Sequence, residues 1–246
     1  MGTPSDVFPV VLNAVSKAYG SGKLAVRDLT LSLRGGEIVG LLGPNGAGKT
    51  TTLKLLATVL RPSAGRVLYG SAAVDPWNAA ERDRLNVKRG LGWLPERPLL
   101  YDLLTAQEYL RFLGRLLEIP KSDLEGRISY LLELLDLTSA GDDFIKTYSY
   151  GMQRKVSLAG CRLNDPKLLL LDEPTAGIDP QGVREIKDLL AALKSEGRGI
   201  LVSTHILDVA EKLCDRVAII DKGTLVFAGH VNELRSRLKA PGDASL

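Results

Sequence analysis

The sequence predicts an α/β fold: a mostly parallel sheet, an antiparallel β-subdomain ahead of it and a helical insertion within it. Short, almost wholly apolar runs recur at residues 37–42, 167–173 and 199–205, the pattern of strands buried on both faces. A glycine-rich loop, residues 43–51, joins the first of these strands to a leucine-bearing helical pattern, so a strand end meets a helix start. From Thr105 to about Leu137 leucines recur at helical spacing with no strand between them, which marks an all-helical segment.

Bulk properties agree with this. A chain of 246 residues, 45% hydrophobic and 25% charged, is ordinary for a globular protein with one large domain, or a core with a smaller subdomain. A net charge of +3 is too weak to argue for nucleic acid and suits work beside an anionic membrane equally well. Cys161 and Cys214 lie far apart in apolar stretches and read as buried thiols, not a disulfide. The first ten residues lack the charged-then-apolar pattern of a signal peptide. No run approaches the ~20 apolar residues of a membrane span. A cytosolic chain is expected.

Alternating segments at 10–15 and 29–33, with a turn at 19–22, predict the antiparallel sheet. Tyr19 stands at that turn; an aromatic there either stacks on a base or packs at a strand end. The loop that follows, GPNGAGKTT, fits the pattern of glycine, four free positions, glycine, lysine and Ser/Thr, with Gly43, Gly48, Lys49 and Thr50. Its glycines let backbone N–H groups around Asn45, Gly46, Ala47 and Gly48 turn inward toward phosphate oxygens. The helix start at Lys49, Thr50 and Thr51 adds partial positive charge. Lys49 can bridge the outer phosphates and the Thr50 hydroxyl can ligate magnesium. This loop binds a nucleoside triphosphate.

Residues 65–70 and 91–96 are further short strands, the second ended by Pro95. Thr105 with Glu108 forms a capping-box pattern that opens the insertion, and Ser122 with Glu125 is expected to open its next helix in the same way. At 148–153 a Ser/Gly turn precedes a long helix through Leu163. Four leucines, 168–171, then run into Asp172 and Glu173, at the strand end where ligands of open α/β sheets collect. Asp172 can hold magnesium, and Glu173 can orient and deprotonate the attacking water. His205 ends the next buried strand on the same edge, where a γ-phosphate contact would be made. Strands at 216–220 and 224–228 flank a turn at 221–223, Asn232 is expected to cap a last helix through Leu238, and the tail from Ala240 should fray.

Together these residues resemble the ATP-binding subunit of an ABC transporter over nearly the whole chain. Tyr19 corresponds to that family's adenine-stacking aromatic, 43–51 to its phosphate loop, 148–152 to its signature segment, 168–173 to its second acidic motif, 176–179 to its dimer-contact loop and His205 to its switch histidine. The resemblance implies one ABC ATPase domain with a P-loop NTPase core. Residues 1–95 and 165–246 would form the nucleotide-binding core with its β-subdomain, and 96–164 the helical subdomain. It implies ATP and Mg2+ as cofactors, with Thr50, Glu96 and Asp172 at the metal, and Lys49, Glu173 and His205 catalytic. It further implies that Ser149, Gly151 and Asp179 serve the nucleotide of a second ATPase subunit in a head-to-tail homodimer at the cytoplasmic face of the membrane.

Two departures from the family pattern stand out. The usual LSGGQ is Tyr148-Ser149-Tyr150-Gly151-Met152, and a usual glutamine is Glu96. Glu96, followed by a proline and a leucine-rich stretch with Tyr101, is similar to the exporter branch, whose membrane permease is a separate chain. Two rivals are a soluble ABC ATPase and a non-catalytic nucleotide-binding module. A single phosphate loop, with no heptad arm or cysteine cluster, argues against the first; Lys49, Asp172 and Glu173 argue against the second.

Overall fold

The computed structural model describes residues 8–20, 22–97 and 99–239. The expectations for the first seven residues and for the tail from Ala240 lie outside it, as do Ser21 and Pro98.

Two sheets form. The smaller is antiparallel, in the order β2-β1-β4, from β1 (Val10–Tyr19), β2 (Lys23–Leu33) and β4 (Ala64–Tyr69). The larger has six strands in the order β5-β6-β7-β3-β8-β9. These are β5 (Leu91–Leu94), β6 (Leu168–Asp172), β7 (Gly199–Thr204), β3 (Ile38–Leu42), β8 (Arg216–Asp221) and β9 (Thr224–His230). Five are parallel, and β9 returns antiparallel to β8 through a tight turn.

Every residue of β3, β6 and β7 is buried, which is why these runs are nearly free of charge. Alternate side chains enter different cores. Leu169, Leu171, Ile200 and Val202 join the helical side, while Leu168, Leu170, Leu201 and Leu41 join the side covered by the small sheet. The sheet is thus a wall between two apolar clusters, and its C-terminal edge, where Asp172 and Thr204 end their strands, is left to polar chemistry.

Helix α1 (Lys49–Leu56) follows the phosphate loop, α2 (Glu81–Arg89) precedes β5, and α6 (Pro180–Ser195) and α7 (Leu207–Leu213) follow β6 and β7. Between β5 and β6 the chain builds α3 (Ala106–Leu116), α4 (Lys121–Leu134) and α5 (Tyr150–Arg162). Leu110, Leu131, Ile145 and Val156 of this segment share one cluster with Leu169 and Ile200 of the sheet.

The capping box at Thr105 forms in both halves: Glu108 N donates to Thr105 Oγ1 and Thr105 N donates to the Glu108 carboxylate. That expected at Ser122 does not form. Helix α4 starts after Pro120, and the Ser122 hydroxyl donates to Asp123 instead. Pro120 supplies the fixed φ that starts a helix, so Ser122 lies inside the first turn. Asn232 does not cap α8 (Val231–Lys239) either, because the helix begins one residue before it. Cys161 sits in α5 and Cys214 just past α7, both as free thiols. Among the described residues no helix is long and apolar enough to cross a membrane.

Candidate active site

Strand β3 ends at Leu42 and the chain turns through 43–48 into α1. Gly48 holds φ +110°, and a Cβ there would stand 2.5 Å from the Ala25 carbonyl oxygen. Only glycine lets the loop pass this close to β2 with that backbone. The loop opens onto a cleft of about 350 Å³ lined by Asn45, Gly46, Gly48, Lys49, Thr50 and Thr51 on one side. Glu96, Asp172, Glu173 and His205 line the other. Residues from four separate strand ends meet there, as the sequence predicts, and Ala47 is buried beneath the loop.

The cleft is internally bonded. Lys49, only 7% exposed, donates to the carbonyls of Gly43 (2.7 Å) and Pro44 (3.3 Å), and its Nζ lies 3.8 Å from Glu173 Oε1. Thr50 Oγ1 donates to Asp172 Oδ2 at 2.7 Å. Ser203 Oγ donates to Asp172 Oδ1 at 2.5 Å and accepts from Glu173 N at 3.1 Å. His205 Nδ1 lies 2.9 Å from Glu173 Oε1. Glu173 holds φ +48°, a left-handed conformation that costs on the order of 1 kcal/mol outside glycine. That turn sends its carboxylate between Lys49 and His205.

Tyr19 ends β1 with its ring partly exposed; its Oη lies 3.4 Å from Thr51 Oγ1, and Lys17 Nζ sits 5.8 Å from the ring centroid. The ring is therefore beside the phosphate-loop helix, without lining the cleft itself.

Ser149, Gly151 and Asp179 are elsewhere. They line a second hollow of about 420 Å³ together with Tyr150, Gly177 and Gln181. Ser149 caps α5, its Oγ accepting from Met152 N at 3.3 Å. Asp179 caps α6, its Oδ1 accepting from Gly182 N at 2.7 Å. The hollow also holds Asp136, Lys155 and Glu185, and the chain does not bring it together with the Lys49 cleft.

Two residues escaped the sequence reading. Ser203 hydrogen-bonds both acids, and its trace was the first hydroxyl in a buried strand that is apolar up to that point. Arg154 on α5 is 1% exposed and donates to the carbonyls of Pro95, Glu96, Asp172 and Glu173. Burial holds its guanidinium below the usual pKa, against the pull of neighbouring acids. No spacing rule marks such an arginine.

The comparisons fit this geometry. The ABC transporter family matches residues 26–176, from the small sheet past the acidic pair. The chain belongs to that family. An ABC transporter ATP-binding protein of Nostoc is 39% identical, over 94% of this chain and 68% of its own length. The doxorubicin resistance ATP-binding protein DrrA of Mycobacterium tuberculosis is 38% identical, over 95% and 69%. A solved ATP-binding subunit of an ABC transporter superposes with a TM-score of 0.83 at 30% identity, covering 94% of this chain and 93% of that one. As an ABC protein of this type the chain binds ATP and is an ATPase. The fold expected from the sequence, a P-loop core with antiparallel strands ahead of it and a helical signature segment, is the fold of the family.

Proposed function

We propose that this ABC ATPase powers an exporter whose permease is a separate chain, through an ATP-driven head-to-tail dimer at the cytoplasmic face of the membrane. The separation of the phosphate-loop cleft from the Ser149 cap at the α5 N-terminus carries the reading. A triphosphate seated on the 43–51 loop meets Lys49, Glu173 and His205 of its own chain, whereas Ser149, Gly151 and Asp179 lie on another face. A second copy, turned end for end, brings its α5 N-terminus to the phosphates.

In this reading Lys49 neutralises the outer phosphates. Glu173 takes the proton of the attacking water, and His205 holds the carboxylate in place through the 2.9 Å contact. Tyr19 offers its face to the base. The oxygens of Thr50 and Asp172, already in contact, form the hard donor set that Mg2+ prefers, with few protein ligands and the rest from phosphates and water. Glu96 adds a third oxygen group on the same cleft. When bound, that ion supplies charge neutralisation at the transferring phosphoryl group.

Resemblance to a drug-resistance ATP-binding protein supports export. The permease would dock where the sheet edge meets the helical segment. There a groove of about 380 Å³ is lined by Leu91, Trp93, Leu99, Tyr109, Leu113 and Leu116. It starts from the same 95–97 turn that carries Glu96 to the nucleotide, so a short amphipathic helix from the permease would feel the state of the cleft.

Light scattering of the Glu173→Gln protein tests the shared site. A monomer without nucleotide should become a dimer with ATP, and adding Ser149→Arg should abolish the dimer while ATP still binds. A mass indifferent to ATP and to Ser149 would overturn the proposal.

A further inference from the structure

The signature turn carries a tyrosine where the family pattern has glycine, and the structure gives that ring three partners. Tyr150 is the first residue of α5, directly after the Ser149 cap. Its Oη donates to the Glu96 carbonyl at 3.3 Å, across 54 positions of sequence. Its ring packs on Gly177: a Cβ built there would stand 2.9 Å from Cε1 and 3.1 Å from Cδ1. Its face lies 6.0 Å from the Arg154 guanidinium, which itself holds the carbonyls of Glu96, Asp172 and Glu173. One side chain therefore touches the turn that carries Glu96, the loop that follows the acidic pair, and the arginine beneath both. The ring is still 42% exposed, with its open side in the hollow of Ser149 and Asp179.

We propose that Tyr150 is a positioning residue for ATP hydrolysis, clamping the N-terminus of α5 to Glu96 and Gly177 so that the nucleotide cleft and the signature surface move as one unit. The inference rests on the shared-site reading above. A glycine at this position removes the Tyr150 bond and leaves, among the described residues, Arg154 as the α5 side chain hydrogen-bonded to the Glu96 carbonyl. With tyrosine, a shift of Glu96 on the nucleotide is passed directly to Ser149, the group offered to the neighbouring subunit. Gly177, at φ +70°, is what leaves room for the ring.

Steady-state hydrolysis by the full chain tests this, beside ATP affinity of the monomer measured in EDTA. Tyr150→Phe, which removes only the hydroxyl, should lower kcat two- to tenfold and raise the Mg2+ concentration for half-maximal rate, with ATP affinity within twofold. Tyr150→Gly should lower kcat more than tenfold. Gly177→Ala, which drives a methyl into the ring, should cost at least threefold less in the Tyr150→Gly background than in the parent. Coupling of that kind is not expected of a tyrosine that merely covers the surface. Parental kcat and Mg2+ dependence in Tyr150→Phe, or effects of Tyr150→Gly and Gly177→Ala that simply multiply, would overturn the clamp. Should Tyr150→Gly fail to fold by circular dichroism, Tyr150→Phe decides alone. Ser149→Arg separates the two layers. If it leaves kcat at the parental value, the shared site falls; if it abolishes turnover while Tyr150→Phe is silent, only the clamp falls.

Discussion

His205 Nδ1 and Glu173 Oε1 lie 2.9 Å apart, and the same carboxylate oxygen is 3.8 Å from Lys49 Nζ. One acid is thus held between an imidazole that can orient it and a buried ammonium. Glu173→Gln should keep ATP binding and lower kcat by about 10²–10⁴-fold. Lys49→Ala should lose binding itself. His205→Ala should fall between them, with affinity near parental and kcat down by roughly 10². A nucleotide titration beside a phosphate-release assay reads all three, and parental turnover in Glu173→Gln would remove it as the base.

The docking groove makes a different demand. Leu100 and Leu104 pack against the core, while Leu99 and Leu103 are 72% and 73% exposed and Leu116 is 65% exposed. Tyr101 stacks edge-on against Phe112 at 5.5 Å. A charge at Leu100 would therefore unseat the loop and report on stability instead of docking. Leu99→Asp and Leu116→Asp should weaken capture of the detergent-solubilised permease tenfold or more, with ATP affinity unchanged in the same preparations. Undiminished capture by both would place the permease elsewhere.

Arg154 should prove more costly to remove than any surface ion pair. Its two terminal nitrogens serve four carbonyls, so Arg154→Ala removes four hydrogen bonds, two of them to the carbonyls of the buried residues Asp172 and Glu173, and leaves a cavity beside β6. A loss of about 3 kcal/mol or more is expected in urea unfolding. Arg154→Lys should recover little of it, because an ammonium cannot span the fork of carbonyls. A loss under about 1 kcal/mol for Arg154→Ala would contradict this.

Burial pushes both thiols, Cys161 and Cys214, up from 9.0 to about 12. At pH 8 the native thiolate fraction should be about a thousandfold below that of the unfolded chain. Iodoacetamide should label neither cysteine in buffer and both in urea, as read by intact mass. The raised folded-state pKa also sets a sign. The thiols' contribution to stability is fully present below pH 9 and lost as pH rises from 9 toward 12, because only the unfolded chain ionises there. The urea midpoint should accordingly fall as pH rises through that window.

Much of this was legible in the residues because buried parallel strands and phosphate loops impose narrow local rules. The apolar runs that became β3, β6 and β7 admit few other readings, and a strand, a glycine loop and a helix in that order locate the cleft. What escaped depends on partners distant in sequence. Arg154 reaches Glu96 and Glu173 across 58 and 19 positions, and nothing beside it signals either bond. Ser122 and Asn232 failed as caps because a capping pattern fixes a helix start only to within a residue or two. At Ser122 the proline two positions earlier set the start. Asp179 was expected from its motif at the nucleotide of a second subunit; within its own chain its Oδ1 caps α6, a role that the motif does not signal.

The strand order also sets a timetable for synthesis. Strand β3, which carries the phosphate loop, pairs only with β7 and β8, and both are made long after it. At roughly 5–20 residues per second, the loop leaves the ribosome on the order of ten seconds or more before its first sheet neighbour exists. Until then the apolar run 38–42 must be shielded by the small sheet or by a chaperone. A ribosome stalled before Gly199 would hold a nascent chain in which every phosphate-loop residue is present and the strand leading into the loop has neither of its sheet neighbours. Competence to hold nucleotide should therefore arrive abruptly and late, with the last fifth of the chain.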